Sequence, residues 1–102
     1  RGAVRWGPLI EADLLMPATL DRAFERPVDA VMHFCARSLV GESVHEPVAY
    51  YQNNVTGTLN LLEAMRRHQV RKLVFSSTAA VFGNPISDVI DEQHPTSPIN
   101  PY

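Results

Sequence analysis

Three consecutive hydroxyl side chains, Ser76, Ser77 and Thr78, end the apolar run Leu73-Val74-Phe75, and a phenol, Tyr102, follows in a Pro-Ile-Asn-Pro-Tyr segment. The apolar run reads as a strand buried on both faces of a parallel sheet. Ligands of open α/β sheets lie beyond the carboxyl ends of such strands, where these hydroxyls would sit. Hydroxyls there can hydrogen-bond a ligand at little electrostatic cost. A strand-end threonine and a later tyrosine are the beginnings of a catalytic pair.

The elements that must hold this pair can be read from pattern. Residues 8–13 read as a short strand ending in an acid, and residues 17–26 as an amphipathic helix with Leu20, Ala23 and Phe24 on one side. Residues 28–36 form a second expected strand. Pro47 fits the first turn of a long helix running to about Gln69. Residues 70–78 form a third strand, and residues 84–101, broken by Pro85, Pro95, Pro98 and Pro101, are loop-like. This succession predicts a right-handed βαβ unit in a parallel sheet. On the long helix, Val48, Tyr51, Val55, Leu59, Leu62 and Met65 share one apolar arc, which Leu61 widens. Asn53 is expected on the solvent side. Asn54 falls within the broadened arc, where its amide needs hydrogen-bond partners such as a neighbouring loop.

Other residues set limits on the chemistry. The second strand ends at His33-Phe34-Cys35-Ala36-Arg37-Ser38, followed by Val40-Gly41-Glu42-Ser43; small residues there either admit a flat ligand or simply pack closely. His33 reads as a core histidine, and Cys35 as small and buried. His45, His68 and His94 lack metal-ligand spacing, so no metal site is expected. Asp91 and Glu92 read as solvated charges. The 102 residues carry a net charge of −2 and a single cysteine. That balance argues against nucleic acid as the main partner, and one cysteine excludes an internal disulfide. The basic cluster Arg66-Arg67-His68 with Arg71-Lys72 lies around a helix end, where cations complement the helix dipole. No stretch is long and apolar enough to cross a membrane, and the opening Arg-Gly-Ala-Val-Arg-Trp has no signal-peptide core.

Five segments belong together: His33-Phe34-Cys35-Ala36, Val40-Gly41-Glu42-Ser43, the stretch from Tyr50 to Thr58, the stretch from Phe75 to Gly83, and Asn100-Pro101-Tyr102. In this order they resemble the extended short-chain dehydrogenase/reductases, and among these the UDP-glucose 4-epimerases. The resemblance runs from about Trp6 onward. It implies NAD as cofactor, with Asp13 and Leu14 at its adenine end and Phe34, Cys35, Ala36 and Ser38 along its central part. Some epimerases have Gly and Lys where this chain has Ala36 and Ser38, and in those the Lys helps hold the cofactor. Asn54, Ser76, Ser77 and Tyr102 would also approach the cofactor. Thr78 and Tyr102 would be both catalytic and substrate-binding. The threonine would orient the sugar hydroxyl, and the tyrosine would belong to a Tyr-x-x-x-Lys motif. Tyrosine ionises near pH ~10, so a base at neutral pH needs a cation nearby. In the family, that lysine and the nicotinamide provide it.

The resemblance thus implies an isomerase of galactose metabolism that interconverts UDP-glucose and UDP-galactose through a 4-keto intermediate. It would act on a UDP-sugar in the cytoplasm, as a homodimer to whose interface the helix from Pro47 contributes. The dehydratases acting on dTDP-glucose carry Asp-Glu after the threonine, whereas this chain has Ala79 and Ala80, which cannot exchange protons. Another nucleotide-sugar epimerase, a UDP-glucuronate decarboxylase and a non-catalytic nucleotide-binding scaffold are the alternatives. The expected fold class is α/β: part of a Rossmann-type doubly wound parallel sheet lacking its first two strands. Residues 1–102 would be an internal piece of an NAD-binding domain ending at the catalytic tyrosine. With a 3-2-1-4-5 strand order, the strand near Leu9 would be the third, those near Val31 and Val74 the fourth and fifth. Without the strands between them, the normal sheet cannot form, the fourth strand has an open edge, and the piece alone should be inactive and bind NAD weakly or not at all.

Overall fold

The parallel pair expected from sequence is the centre of the computed structural model, which describes residues 4–102. Arg1–Ala3, part of the opening segment read above, lie outside the described residues. Strand β1 (Val31–His33) runs beside β2 (Leu73–Phe75), with Val31 opposite Leu73, Met32 opposite Val74 and His33 opposite Phe75. The Val31 N–H donates to the Lys72 carbonyl and the Ser76 N–H to that of His33, so the ladder reaches just past each strand end. Both strands are shorter than the pattern suggested. Nor is β2 buried on both faces: Val74 and Phe75 are each about half exposed, at 52% and 53%.

Residues 8–13 form no strand. A strand persists only against a neighbour, and among the described residues no other strand reaches this segment. It leads instead into a turn in which Asp13 Oδ1 accepts the Leu15 N–H at 2.8 Å and the Asp13 carbonyl accepts that of Met16 at 3.0 Å. Helix α1 (Pro17–Leu20) tightens into a 3₁₀ turn over Asp21–Phe24 and stops before Pro27, which disfavours helical backbone in the residue preceding it. Leu20 is buried and Phe24 half-buried, but Ala23 is exposed.

After β1 comes a helix that the pattern missed, α2 (Val40–His45). Its glycine and valines are weak helix formers, and packing forms it nonetheless. Ser43 at its centre is fully buried and donates to the Val40 carbonyl at 2.6 Å. The long helix follows as α3 (Pro47–Tyr50), a π-helical stretch (Tyr51–Thr56) and α4 (Gly57–Arg67). Pro47 occupies its first turn, as predicted. Its buried side is formed by Tyr50, Gly57, Leu61, Ala64 and Met65. Val48, Tyr51, Val55, Leu59 and Leu62, which the periodicity placed on the apolar arc, are exposed; Met65 alone of that arc is buried. The apolar surface is broad, and this chain covers only one half of it.

The core gathers Leu61, Met65 and Val70, with Leu14, Phe24, Val28, Val31 and Leu73 packed against them. Helix α4 closes with the backbone pattern in which the Val70 N–H reaches the Met65 carbonyl and the Gln69 N–H that of Arg66. Gln69 takes the left-handed conformation this demands, with φ 60°. The basic side chains at this end meet acids: Arg66 pairs with Glu63, Arg67 pairs with Asp21 at 2.8 Å, and His68 Nε2 lies 2.8 Å from the same carboxylate. Hydrogen bonds from Arg67 first and His68 second hold the Asp21 carboxyl below its ordinary range, and Arg66 does the same for Glu63.

Candidate active site

Beyond the carboxyl ends of β1 and β2 lies a cleft of about 510 Å³. Ser76, Ser77 and Thr78 at the end of β2 line one wall, and Phe34, Ala36 and Ser38 after β1 line another. Asn54 and Tyr51 enter from the long helix, and Pro98, Asn100, Pro101 and Tyr102 close the remaining side. Eight of the residues expected at a cofactor or substrate site therefore share one cavity: Phe34, Ala36, Ser38, Asn54, Ser76, Ser77, Thr78 and Tyr102. Its size falls within the roughly 300–1,000 Å³ usual for small-molecule sites.

Three of the expected residues are not in its lining. Asp13 and Leu14 form the turn described above; its carboxylate bonds backbone, and its place is fixed by the long helix. Asn60 Nδ2 donates to the Leu14 carbonyl at 2.8 Å, and a Cβ at Gly57 would come within 2.9 Å of Leu14 Cβ. Cys35 is exposed, contrary to the expectation of burial. It lies just past the strand, and it is its backbone that is engaged: its N–H donates to His33 Nδ1 and its carbonyl accepts from Asn53 Nδ2.

Asn54 is half-buried, and its amide finds partners at both ends. Its Oδ1 accepts the Arg37 N–H at 2.8 Å and its Nδ2 donates to the Arg37 carbonyl at 2.9 Å. The side chain thus clamps the loop after β1 by both backbone groups of one residue. Asn53, expected in solvent, is half-buried and donates to Cys35 and to Asn54 Oδ1. The widened turn of the π stretch brings two adjacent amides toward the same loop.

His33 is buried, as read from its apolar run, and also lines the cleft. Since Nδ1 accepts from Cys35, the neutral ring carries its proton on Nε2, which faces Thr58 Oγ1 at 3.1 Å; Thr58 in turn donates to the Asn54 carbonyl at 2.6 Å. The chain of bonds joins the end of β1 to the long helix.

Thr78 begins a 3₁₀ turn, Ala79–Phe82, and its Oγ1 accepts the Ala80 N–H at 3.1 Å. Ala80 lines the cleft beside it. The turn ends at Gly83, with φ 67° and ψ −136°, a region that only glycine occupies without strain. There the returning segment passes close: the Ser97 N–H donates to the Val81 carbonyl at 3.0 Å. His94, whose burial no pattern announced, holds the intervening loop. Its Nε2 accepts the Ile86 N–H, its Nδ1–H donates to the Pro95 carbonyl, and its ring meets Phe82 edge-on. Asn100 Oδ1 is buried without a partner. Such an acceptor costs about 1–3 kcal/mol until a donor reaches it.

Residues 7–102 match the family profile described as GDP-mannose 4,6 dehydratase. The chain is similar to the UDP-glucose 4-epimerase of Halalkalibacterium halodurans, with 48% identity over 102 residues; the alignment takes in 99% of this chain and 30% of that protein. Among solved structures, the UDP-glucose 4-epimerase from Brucella ovis in complex with NAD superposes on all of this chain and 32% of its own, with 45% identity and a TM-score of 0.94. The enzyme of that name from Bifidobacterium longum, in complex with NAD+ and UDP, matches 90% of this chain and 28% of its own, with 44% identity and a TM-score of 0.86. The chain spans about a third of the length of such relatives. Its parallel strand pair and the helices that connect the two strands form part of a Rossmann-type α/β fold. The chain belongs to the GDP-mannose 4,6 dehydratase family, the extended short-chain dehydrogenase/reductases that its motifs resemble.

Proposed function

We propose that the protein is an NAD-dependent epimerase that inverts carbon 4 of a UDP-hexose, interconverting UDP-glucose and UDP-galactose. One observation carries this reading: Thr78 and Tyr102 line a single cleft at the carboxyl ends of the parallel strands, with Ala80 rather than an acid beside them. Tyr102 removes the proton of the sugar 4-hydroxyl and later returns one, and Thr78 orients that hydroxyl and helps relay the proton. NAD, when bound, supplies the acceptor that takes the hydride from carbon 4 and gives it back. Between these events the 4-keto sugar turns over in the pocket, and the new hydroxyl forms with the opposite configuration. No net oxidation results. An acid and base pair for eliminating water is missing after Thr78, where Ala79 and Ala80 stand.

The cleft fits part of such a cofactor. Ala36 and Ser38 leave room beside the backbone, Phe34 and Phe75 provide apolar wall, and Ser76 and Ser77 offer hydroxyls. Asn54 serves the same end by fixing the loop, since both ends of its amide are already engaged. Asp13 and Leu14, held by Gly57 and Asn60, are the residues for its adenine end. The exposed apolar stripe Val48, Tyr51, Val55, Leu59 and Leu62 supports the homodimer that the resemblance implies.

The test is turnover of UDP-galactose by the full-length protein. UDP-glucose should form, Tyr102→Phe should lose about 10²–10⁴-fold in kcat, and Thr78→Val should lose activity that Thr78→Ser restores. No UDP-glucose from the unaltered protein, or an active Tyr102→Phe, would sink the assignment.

A further inference from the structure

We propose that Tyr50 is the positioning residue for Tyr102, holding the ring of the reacting phenol from behind the cleft; this rests on the assignment of Tyr102 as the base. Tyr50 does not line the cleft, yet among the described residues it is the largest fully buried side chain, at 1% exposure. Its ring meets that of Tyr102 edge to face, centroids 6.4 Å apart and planes at 80°. This is a preferred aromatic geometry, and it constrains both the distance and the tilt of the partner ring.

Behind the contact, Tyr50 is itself tied down. Its hydroxyl accepts the Leu39 N–H at 3.0 Å and donates its single proton to Glu42 Oε2 at 2.7 Å, with the Leu39 carbonyl 2.8 Å away. Glu42 is paired with Arg37 at 3.0 Å, and the Arg37 guanidinium lies 5.4 Å from the Tyr50 ring centroid. Arg37 is the residue whose backbone Asn54 clamps. The loop after β1, the first turn of α2 and the long helix therefore converge on one ring, and that ring touches Tyr102. Burial first, then the hydrogen bond to Glu42, keeps the Tyr50 phenol above its usual ionisation range, so it remains a proton donor in this network.

A proton-transfer group must sit within a fraction of an ångström of its target, and misplacement by about 1 Å can cost 10²-fold in rate. Steady-state kinetics on the full-length protein with UDP-galactose separates positioning from folding. Tyr50→Leu removes the ring; kcat should fall roughly 10- to 100-fold while KM stays within about threefold. Tyr50→Phe keeps the ring and loses only its tether, so it should melt earlier but hold kcat within about threefold of the unaltered protein. A folded Tyr50→Leu with undiminished kcat overturns the proposal, as does a Tyr50→Phe as slow as Tyr50→Leu. So does a loss that appears in KM alone. Should Tyr50→Leu not fold, Tyr50→Met refills the site with a flexible chain and should show the same fall in kcat. Failure of both to fold, with Tyr50→Phe folded, leaves Tyr50 a purely structural role and also overturns the proposal. Tyr102→Phe, measured alongside, distinguishes the two levels. If it remains active, the assignment of Tyr102 fails; if it is dead while Tyr50→Leu is unimpaired, only the positioning role fails.

Discussion

Replacing Gly83 with alanine should cost far more than the loss of one flexible residue suggests. The backbone there has φ 67°, and a Cβ would lie 1.9 Å from the Ser97 carbonyl oxygen and 2.9 Å from its carbon. Neither atom belongs to a side chain that could swing away. The residue must either leave its conformation or push the returning segment off, breaking the 3.0 Å bond from the Ser97 N–H to Val81. Backbone strain of this kind is worth about 1–3 kcal/mol and the lost hydrogen bond about 0.5–1.5 kcal/mol. A stiffer unfolded chain offsets about 0.4–1 kcal/mol. The net loss is roughly 0.5–4 kcal/mol, and a value near 2 is a fall of about 30-fold in the folded-to-unfolded ratio. Urea unfolding followed by circular dichroism measures it, as a lower midpoint at constant slope. Gly41→Ala is the matched control: a Cβ there meets nothing within 4 Å, and the residue lies inside α2. It should stabilise by about 0.5–1 kcal/mol. A Gly83→Ala protein within about 0.5 kcal/mol of its parent, well below the strain expected of such backbone, would refute the reasoning. So would a Gly41→Ala protein equally damaged. Because the displaced segment leads to Tyr102, Gly83→Ala should also lower kcat.

Three further outcomes are expected. Gln69→Gly relieves a left-handed residue at the end of α4 and should raise stability by about 0.5–1 kcal/mol in the same unfolding assay. The depressed Asp21 carboxyl contributes stability above about pH 4, near its unfolded value, that is lost as pH falls through its lower folded value. The melting temperature should therefore drop less steeply below pH ~4 in Asp21→Asn than in its parent, Glu63 accounting for part of the remaining slope; equal slopes would exclude the Asp21 pairing. Finally, the 102 residues by themselves contain no Gly-x-Gly-x-x-Gly turn for a pyrophosphate, so calorimetry with NAD⁺ should detect no micromolar binding.

The position of the candidate site was legible because its signal is local. An apolar run stopping at hydroxyls marks a strand end whatever else the chain does, and Ser76, Ser77 and Thr78 stand where that rule puts them. Pro47 at the start of a helix is equally local. Burial is not, and it is where pattern reading failed. The arc Val48, Tyr51, Val55, Leu59 and Leu62 is apolar and regular, but periodicity measures only how wide an apolar surface is. It does not say which half meets this chain, and the half that does includes Gly57 and Ala64, which carry almost no hydrophobic signal. Cys35 was misjudged for the same reason: composition says that cysteines are often buried, whereas exposure depends on where β1 happens to end. His94 and Tyr50 are the sharper cases. Each is satisfied largely by backbone groups of adjoining loops, which every residue carries and no pattern distinguishes. Chemistry-bearing side chains must face a ligand from predictable places on a sheet, so their types and spacing betray them. The residues that hold those side chains still need only the right shape and one or two bonds, and many sequences could provide that. Support of this kind becomes visible only when the contact itself is seen, as in the Tyr50 ring set edge to face against Tyr102.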